Sequence, residues 1–351
     1  MQNQLQTLSE KATHATLMQR AIELAQYGQH TTPPNPNVGC VIVKDGQIIG
    51  EGFHEKAGQE HAEIKALNNA KQNGYSVRGA TVYVTLEPCS HDPNPQVSGQ
   101  GVAKLRQAGI VVTEGVLRGQ CDELNLGFFK RMTTGMPWVT VKLGMTLDAK
   151  IATAGGESQW ITGEKARADV QTLRAKSCAV MTSSATVIAD NPSLNVRLDN
   201  VVRQPKRVIV DSHLSVSPTA KIFTLGGGVL VYTCNHMNPP PNGRRVHIFV
   251  PENNHHADLS AVLKDLGTSQ QCNNILVEAG GRFAGALLSQ GLVDELVLYT
   301  APLLLGEGAK PAFNFPSVAK LSKAKRFYIH DCSIIGDDSK TIFRKVNDKI
   351  R

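Results

Sequence analysis

Aromatic residues are scarce, at 5% of the 351-residue chain, so stacking platforms for single-stranded nucleic acid would have to be few. No apolar run approaches the roughly 18 residues that a membrane helix needs. The start, Met1-Gln-Asn-Gln-Leu-Gln6, shows neither the basic nor the apolar region of a secretory signal. We therefore expect a cytoplasmic protein without a membrane partner. The seven cysteines are odd in number and scattered, which is not the pattern of a disulfide framework; reduced thiols are expected. What is present is ordinary for a globular chain, with 41% hydrophobic and 19% charged residues. At about 100–200 residues per domain, the length predicts two domains. Lys+Arg 37 against Asp+Glu 30 leaves a net charge of +7, which suits either nucleic acid or phosphorylated small molecules.

Leu17, Ala21, Leu24 and Ala25 share one helical face that ends near Gly28. The prolines of Thr31-Thr-Pro-Pro-Asn-Pro-Asn37 then forbid helix. Strands are predicted at Val38–Val43 and Gln47–Gly50 around an Asp45-Gly46 turn. A helix follows over His61–Asn73 with Ile64 and Leu67 inward, then a strand at Thr81–Leu86, a helix at Gly101–Ala108 and a strand at Ile110–Thr113. Lys130–Pro137 has linker character. Beyond it, strands at Trp138–Leu143, Ala179–Ser183, Arg207–Asp211, Val229–Thr233, Val246–Val250, Ile275–Glu278 and Glu295–Thr300 alternate with helices at Glu164–Lys176, Leu259–Leu266 and Phe283–Ser289. Such alternation predicts a mainly parallel sheet covered on both faces.

The first chemical signal is His61-Ala-Glu63 followed by Pro88-Cys89. His-x-Glu with Pro-Cys is the pattern of zinc-dependent nucleobase deaminases. Neutral imidazole and thiolate hold Zn²⁺, which lowers the pKa of water to about 7. A carboxylate off the metal then carries the proton to the ring and to the leaving ammonia. Taken singly, His61 reads as a surface histidine and Cys89 as a core cysteine; their joint occurrence points to the deaminase.

Asn35-Pro-Asn-Val-Gly39, His61-Ala-Glu63, Thr85-Leu-Glu-Pro-Cys-Ser-His91 and Asp92-Pro-Asn-Pro-Gln-Val97 closely resemble the bifunctional deaminase–reductase family of bacterial riboflavin biosynthesis. The resemblance implies zinc ligands at His61 and Cys89, a catalytic proton shuttle at Glu63 and a substrate contact at Asn37. It also exposes a departure. The family has a second cysteine shortly after Cys89, then a helix and a strand before Asp-Pro-Asn-Pro, whereas here His91 abuts Asp92. No third zinc ligand is identifiable. Three explanations stand: residues missing from the sequence, a real deletion that leaves an inactive domain, or a substitute ligand such as His91 or Cys121.

Val141-Lys-Leu-Gly-Met-Thr-Leu-Asp148, Ser158-Gln-Trp-Ile-Thr-Gly163, Asp190-Asn-Pro-Ser-Leu-Asn-Val-Arg197 and Val277-Glu-Ala-Gly-Gly281 resemble the reductase half of the same family. The strand Ile275–Glu278 runs into Gly280-Gly281 and a helix, an arrangement that lets backbone approach a phosphate. The resemblance implies NADPH contacts at Gly144, Trp160, Thr186, Asp190, Gly280, Gly281 and Gly285. Substrate contacts are implied at Ser158, Arg174, Ser193, Leu194, Arg197 and Glu278. Two arginines suit a ribose phosphate, while Asp148 and Lys142 are weaker candidates for the hydride step.

The expected fold is α/β: a cytidine-deaminase-like three-layer domain over 1–130, lacking one helix and one strand, and a dihydrofolate-reductase-like domain over 137–351. The expected enzyme deaminates a phosphorylated ribosylaminopyrimidine with Zn²⁺ and then reduces its ribose with NADPH, as a homodimer with no nucleic-acid partner. The rivals are a reductase with an inactive first domain, a nucleic-acid deaminase, and a non-enzymatic NADPH sensor.

Overall fold

The computed structural model describes residues 2–87, 100–199, 201–236 and 245–346. It divides into two compact units, 1–134 and 135–351. In the first, α1 (Gln2–Tyr27) and α2 (Ala62–Gln72) pack on a sheet of β1 (Gly39–Lys44), β2 (Gln47–Phe53) and β3 (Thr81–Val84), in the order β2-β1-β3. Both neighbours of β1 are antiparallel to it. Helices α3 (Gln100–Gln107), α4 (Arg118–Glu123) and α5 (Leu126–Thr134) follow.

Helix α2 turns Ala62, Ala66 and Ala70 inward, one residue per turn on a single stripe. Ile64 and Leu67, expected inside, are exposed instead. Shape explains the reversal. A Cβ on Gly50 or Gly52 of β2 would collide with the backbone of Ala66, so this seam is backbone against backbone and admits only small residues. The strand expected at Ile110–Thr113 does not form, and Val111 is 93% exposed. Among the described residues the sheet stops at β3, so that segment finds no strand to pair with. The supposed linker is also shorter than expected: α5 continues through Thr134 and ends at Gly135, whose φ of +69° is the usual helix stop.

The second unit contains, among the described residues, a nine-stranded sheet in the order β15-β16-β13-β4-β12-β6-β7-β8-β9. Its chain order runs through β4 (Trp138–Thr146), β5 (Lys150–Ala152), α6 (Glu164–Lys176), β6 (Ala179–Ser183), α7 (Ser184–Asp190), β7 (Lys206–Val210), α8 (Lys221–Thr224), β8 (Val229–Thr233) and β9 (Arg245–Phe249). It continues through β10 (Glu252–Asn253), β11 (His256–Ala257), α9 (Leu259–Gly267), β12 (Asn274–Glu278), α10 (Gly281–Ser289), β13 (Glu295–Ala301), β14 (Lys310–Pro311), β15 (Phe327–Ile335) and β16 (Asp338–Lys345). All pairings from β13 to β9 are parallel, and the β15–β16 hairpin adds an antiparallel edge. Val139, Val141, Met181, Val208, Leu263, Ile275 and Leu287 form the main core. A second core on the sheet includes Val180, Ile209, Val231 and Leu276.

Beside that second core, the buried Arg207 guanidinium donates to the carbonyls of Ile222 at 2.6 Å and of Gly226 and Gly227 at 2.7 Å each. It closes the α8–β8 turn by satisfying carbonyls left free at the helix end.

Candidate functional site

In the first unit His61 caps α2 from extended backbone (φ −69°, ψ 159°), and Glu63 lies in the first helical turn. The His61 ring meets His54 edge-on, with centroids 5.9 Å apart. His54 is buried and fixed at both nitrogens, by the Glu60 carbonyl at 3.1 Å and the Asn35 amide at 3.1 Å. Its place beside His61 was not legible in the sequence. The nearby Cys40 is also buried; burial, aided by the Glu63 charge, pushes its thiol up to about 12. Burial of this kind favours the neutral thiol.

Asn37, expected at the substrate, is heavily engaged within the protein. Its side-chain oxygen accepts from Thr32 Oγ1 at 2.7 Å and its amide donates to the Leu124 carbonyl at 3.0 Å. Its backbone exchanges two further bonds with the Asn125 side chain.

Cys89, Pro88 and His91 lie outside the described residues. Cys121, weighed as a substitute ligand, is packed with Met18, Leu24 and Tyr83, and its thiol is pushed up to about 11 by burial. Among the described residues, no three His, Cys, Asp or Glu side chains gather to hold a metal ion. His61 has the right donor chemistry for zinc, and its expected co-ligand Cys89 lies outside the described residues.

The second unit builds a denser site. Lys142 of β4 and Glu278 of β12 are register partners on neighbouring parallel strands. Side chains two residues apart share a face, so Gly144 lies beside Lys142, and Tyr299 of β13 is paired with Gly144. Helix α6 covers this face. Its Arg174 grips Glu278 through Nε–Oε1 at 2.5 Å and Nη2–Oε2 at 3.0 Å, and donates to the Asn195 carbonyl at 2.9 Å. Asp169, also on α6, accepts from the Tyr299 hydroxyl and from Lys340 Nζ at 2.6 Å. Burial alone would raise the Glu278 pKa, but Arg174, Lys142 and Arg197 together hold it below the usual carboxylate range. Burial lowers the Lys142 pKa, with Glu278 opposing that shift. The sequence alone left Lys142 a weak candidate; strand register makes it central.

The other expected substrate residues divide. Arg197 is exposed, its guanidinium 3.3 Å from Ser193 Oγ. The Ser193 side chain is buried, and Leu194 is a core residue at φ +53°. Ser158 is half-buried in the loop before α6. Trp160 in the same loop is 68% exposed, with the Arg167 guanidinium 4.5 Å above its ring, so it is no core residue. Asp190 ends α7 and is exposed. Thr186 Oγ1 accepts from the Gly280 amide at 3.3 Å, which ties α7 to the start of α10.

The glycines of that start differ in purpose. A Cβ on Gly281 or Gly285 would collide with the carbonyls of Pro311 or Asn314 respectively. Both are small so that the helix can pack against the 311–314 segment, a demand that the sequence reading did not include. Gly280, at the cap, has nothing within 4 Å of its Cβ position. The open approach, with the partial positive charge of a helix start, fits a dinucleotide phosphate.

A parallel sheet that brings a charged cluster and an open helix start toward the carboxyl ends of its strands belongs to the class of α/β proteins that bind nucleotides at that end. Residues 137–335 match the family described as the RibD C-terminal domain, and residues 11–111 match the cytidine and deoxycytidylate deaminase zinc-binding region. The riboflavin biosynthesis protein RibD of Escherichia coli is 45% identical over 92% of this chain and 96% of its own length. That of Haemophilus influenzae is 44% identical over 93% and 96%. RibD of Acinetobacter baumannii superposes with a TM-score of 0.85 at 40% identity, over 96% of this chain and 100% of that one. A Thermotoga maritima diaminohydroxyphosphoribosylaminopyrimidine deaminase/5-amino-6-(5-phosphoribosylamino)uracil reductase does so at 0.84 and 32%, over the same shares. The chain belongs to the RibD family of bifunctional riboflavin-biosynthesis enzymes, a deaminase-type unit joined to a reductase unit of dihydrofolate-reductase-like fold. The E. coli alignment spans 358 residues, more than the 351 of this chain, although 92% of it is aligned. The relative thus carries a stretch without counterpart here.

Proposed function

We propose that this chain deaminates a diaminopyrimidine ribosyl phosphate and then reduces its ribose to ribityl, as the cytoplasmic homologue of the enzymes above. The observation that carries the reading is the Lys142–Glu278–Arg174 cluster on the sheet face beside the open Gly280 cap. NADPH supplies the hydride when bound. Gly280, Thr186, Gly144, Trp160 and Asp190 hold it along the strand ends. Arg197, with Ser158 and the Ser193–Leu194 backbone, takes the substrate phosphate, because the Arg174 fork is already occupied by Glu278. Glu278 stays ionised and, with Lys142, orients the ribose. Glu63 moves the proton in the first half-reaction and His61 serves the zinc. Nucleic acid has no part in this reading.

Supplied with deaminated substrate, the protein oxidises NADPH; failure to do so refutes the reductase assignment. Ammonia release from the diamino substrate, abolished by Glu63→Gln while NADPH oxidation persists, tests the deaminase. Absence of ammonia release from the unaltered chain would refute the deaminase half of the reading and leave a reductase alone. We also propose a homodimer. Tyr328, Ile329 and Ile334 of β15 are exposed on the last strand of the sheet, an edge that proteins ordinarily cover. Light scattering decides, with Ile329→Lys/Ile334→Lys expected to give monomers.

A further inference from the structure

The sheet order places β4 between β13 and β12, and α6 ties down one side chain on each of those neighbours. Arg174 holds Glu278 on the β12 side, and Asp169 of the same helix accepts from the Tyr299 hydroxyl on the β13 side. Lys142 of β4 lies between the two. Tyr299 is fully buried. Asp169 is anchored in turn by Lys340 of β16, whose Nζ donates to it at 2.6 Å. The ring is thus held in one orientation by a chain of contacts that runs from β16 through α6 to β13.

Lys142 is held in another way. Its Nζ lies 5.7 Å from the Tyr299 ring centroid, within the range of a cation–π contact. Among the described residues no group accepts a hydrogen bond from that ammonium, although Glu278 attracts it through space. Gly144 makes the approach possible. It pairs with Tyr299 across the strands, and a Cβ there would lie 3.9 Å from Lys142 Nζ and 3.2 Å from Thr162 Cγ2. Without that Cβ the lysine stem lies along its own strand toward the ring, and its three N–H donors stay available to a substrate.

We propose that Tyr299, locked by Asp169 and Lys340, is a positioning residue for the reductase: its ring fixes the Lys142 ammonium at the place from which it meets the substrate ribose. The inference rests on the reading of Lys142 as a group that orients the ribose, and deepens it. Asp169 acts through the ring and not as the counter-ion of Lys142, because its carboxylate already takes the Lys340 ammonium. The other charged groups around Lys142 are Glu278 of β12, Arg174 of α6, Arg197 near Glu278, and Lys340, whose Nζ is 5.8 Å from the same ring centroid.

An aromatic face favours the charged form of a lysine, whereas burial opposes it. Removing the ring therefore lowers the Lys142 pKa further, by about half a unit for a contact of ordinary strength. With the ammonium as the working form, activity falls as pH rises through that pKa, so the alkaline limb of kcat moves to lower pH when the ring is lost.

The test compares Tyr299→Leu, Tyr299→Met and Tyr299→Phe in the full chain, the Met variant guarding against a Leu variant that folds poorly. The kcat and KM for NADPH and for deaminated substrate are followed between about pH 6 and 10, a span that covers a lowered lysine pKa. NMR of ¹³Cε-labelled lysine reads the Lys142 titration directly, assigned by its loss in Lys142→Met. In the Leu and Met variants kcat should fall about tenfold, as for a displaced orienting group, with the KM for NADPH within about twofold. The alkaline limb and the NMR titration should both move down by about half a unit. Tyr299→Phe keeps the ring and loses only the bond to Asp169, so its titration should stay in place and its kcat should fall less. A titration unmoved by loss of the ring, or a Phe variant as impaired as the Leu and Met variants, overturns the proposal and leaves the reductase assignment standing. Failure of the unaltered chain to oxidise NADPH refutes the reading of the site, while the NMR titration still decides whether the ring holds Lys142.

Discussion

Replacing Arg174 by alanine removes both bonds to Glu278 and the bond to the Asn195 carbonyl in one step. The two side chains are only 9% and 14% exposed, so solvent cannot replace what is lost. Breaking a buried pair from one side costs about 3–5 kcal/mol, because the remaining charge is stranded. Glu278 keeps a second cation nearby in its register partner Lys142, which places the expectation near the lower limit, about 3 kcal/mol. For a unit of this size each kcal/mol moves the melting temperature by about 2–4 °C, a drop of roughly 6–12 °C. The pH dependence follows from the sign of the Glu278 shift. Its folded-state pKa is depressed, so the stabilisation is fully present above the unfolded value of about 4.3 and is lost as pH falls through the folded value. The Arg174→Ala penalty should therefore be large at pH 7 and shrink toward pH 4, where a protonated Glu278 no longer needs a partner. Arg174→Leu/Glu278→Leu should recover much of the loss. Calorimetric melting of the three proteins between pH 4 and 8 reads all of this. A penalty below about 1 kcal/mol, or one independent of pH, would falsify the argument.

Arg207→Ala should lower stability by about 3 kcal/mol, since it leaves several buried carbonyls without a donor; Arg207→Lys should rescue little, because an ammonium lacks the planar fork. Gly281→Ala should fold poorly or melt early from its collision with the Pro311 carbonyl, whereas Gly280→Ala, with open space around it, should fold normally. NADPH titration should then find Gly280→Ala weakened several-fold, and unchanged affinity would remove Gly280 from the cofactor path. Lys142→Met should cost no stability at pH 7 yet abolish NADPH oxidation. Because burial lowers the Lys142 pKa, the unaltered protein should gain stability as pH rises from that lowered value toward about 10.4, an increment missing from the variant in melting curves at pH 7–10.

The parallel strands were legible because β-branched runs such as Ala179–Ser183 and Val229–Thr233 are buried on both faces. The β15–β16 hairpin was not, because β15 is exposed along nearly its whole length and carries no alternation to detect. Helix α7 was missed for its brevity, although Ser183 accepting from the Thr186 amide is an ordinary N-cap. Ile64 and Leu67 misled because apolar size usually marks the inner face, and a glycine-lined strand inverts that rule. At the site, family likeness named Arg174 and Glu278, but not that they bind each other across 104 residues of sequence. Only strand register brings Lys142 beside them. Leu194 was named through its motif, and its side chain proves to serve the core.

The alanine–glycine seam between α2 and β2 also bears on how the deaminase half tolerates change. In most cores a lost or added methylene is absorbed by neighbouring side chains that shift rotamer. Here there are none to shift, because the helix rests directly on the peptide planes of the strand. A single methyl at Gly50 or Gly52 would lift α2 bodily, and His61 and Glu63 at its leading end would move with it. The position of that helix start is thus fixed by a contact with no adjustable spacer, and mutational scanning should find these two glycines as intolerant as the residues they position.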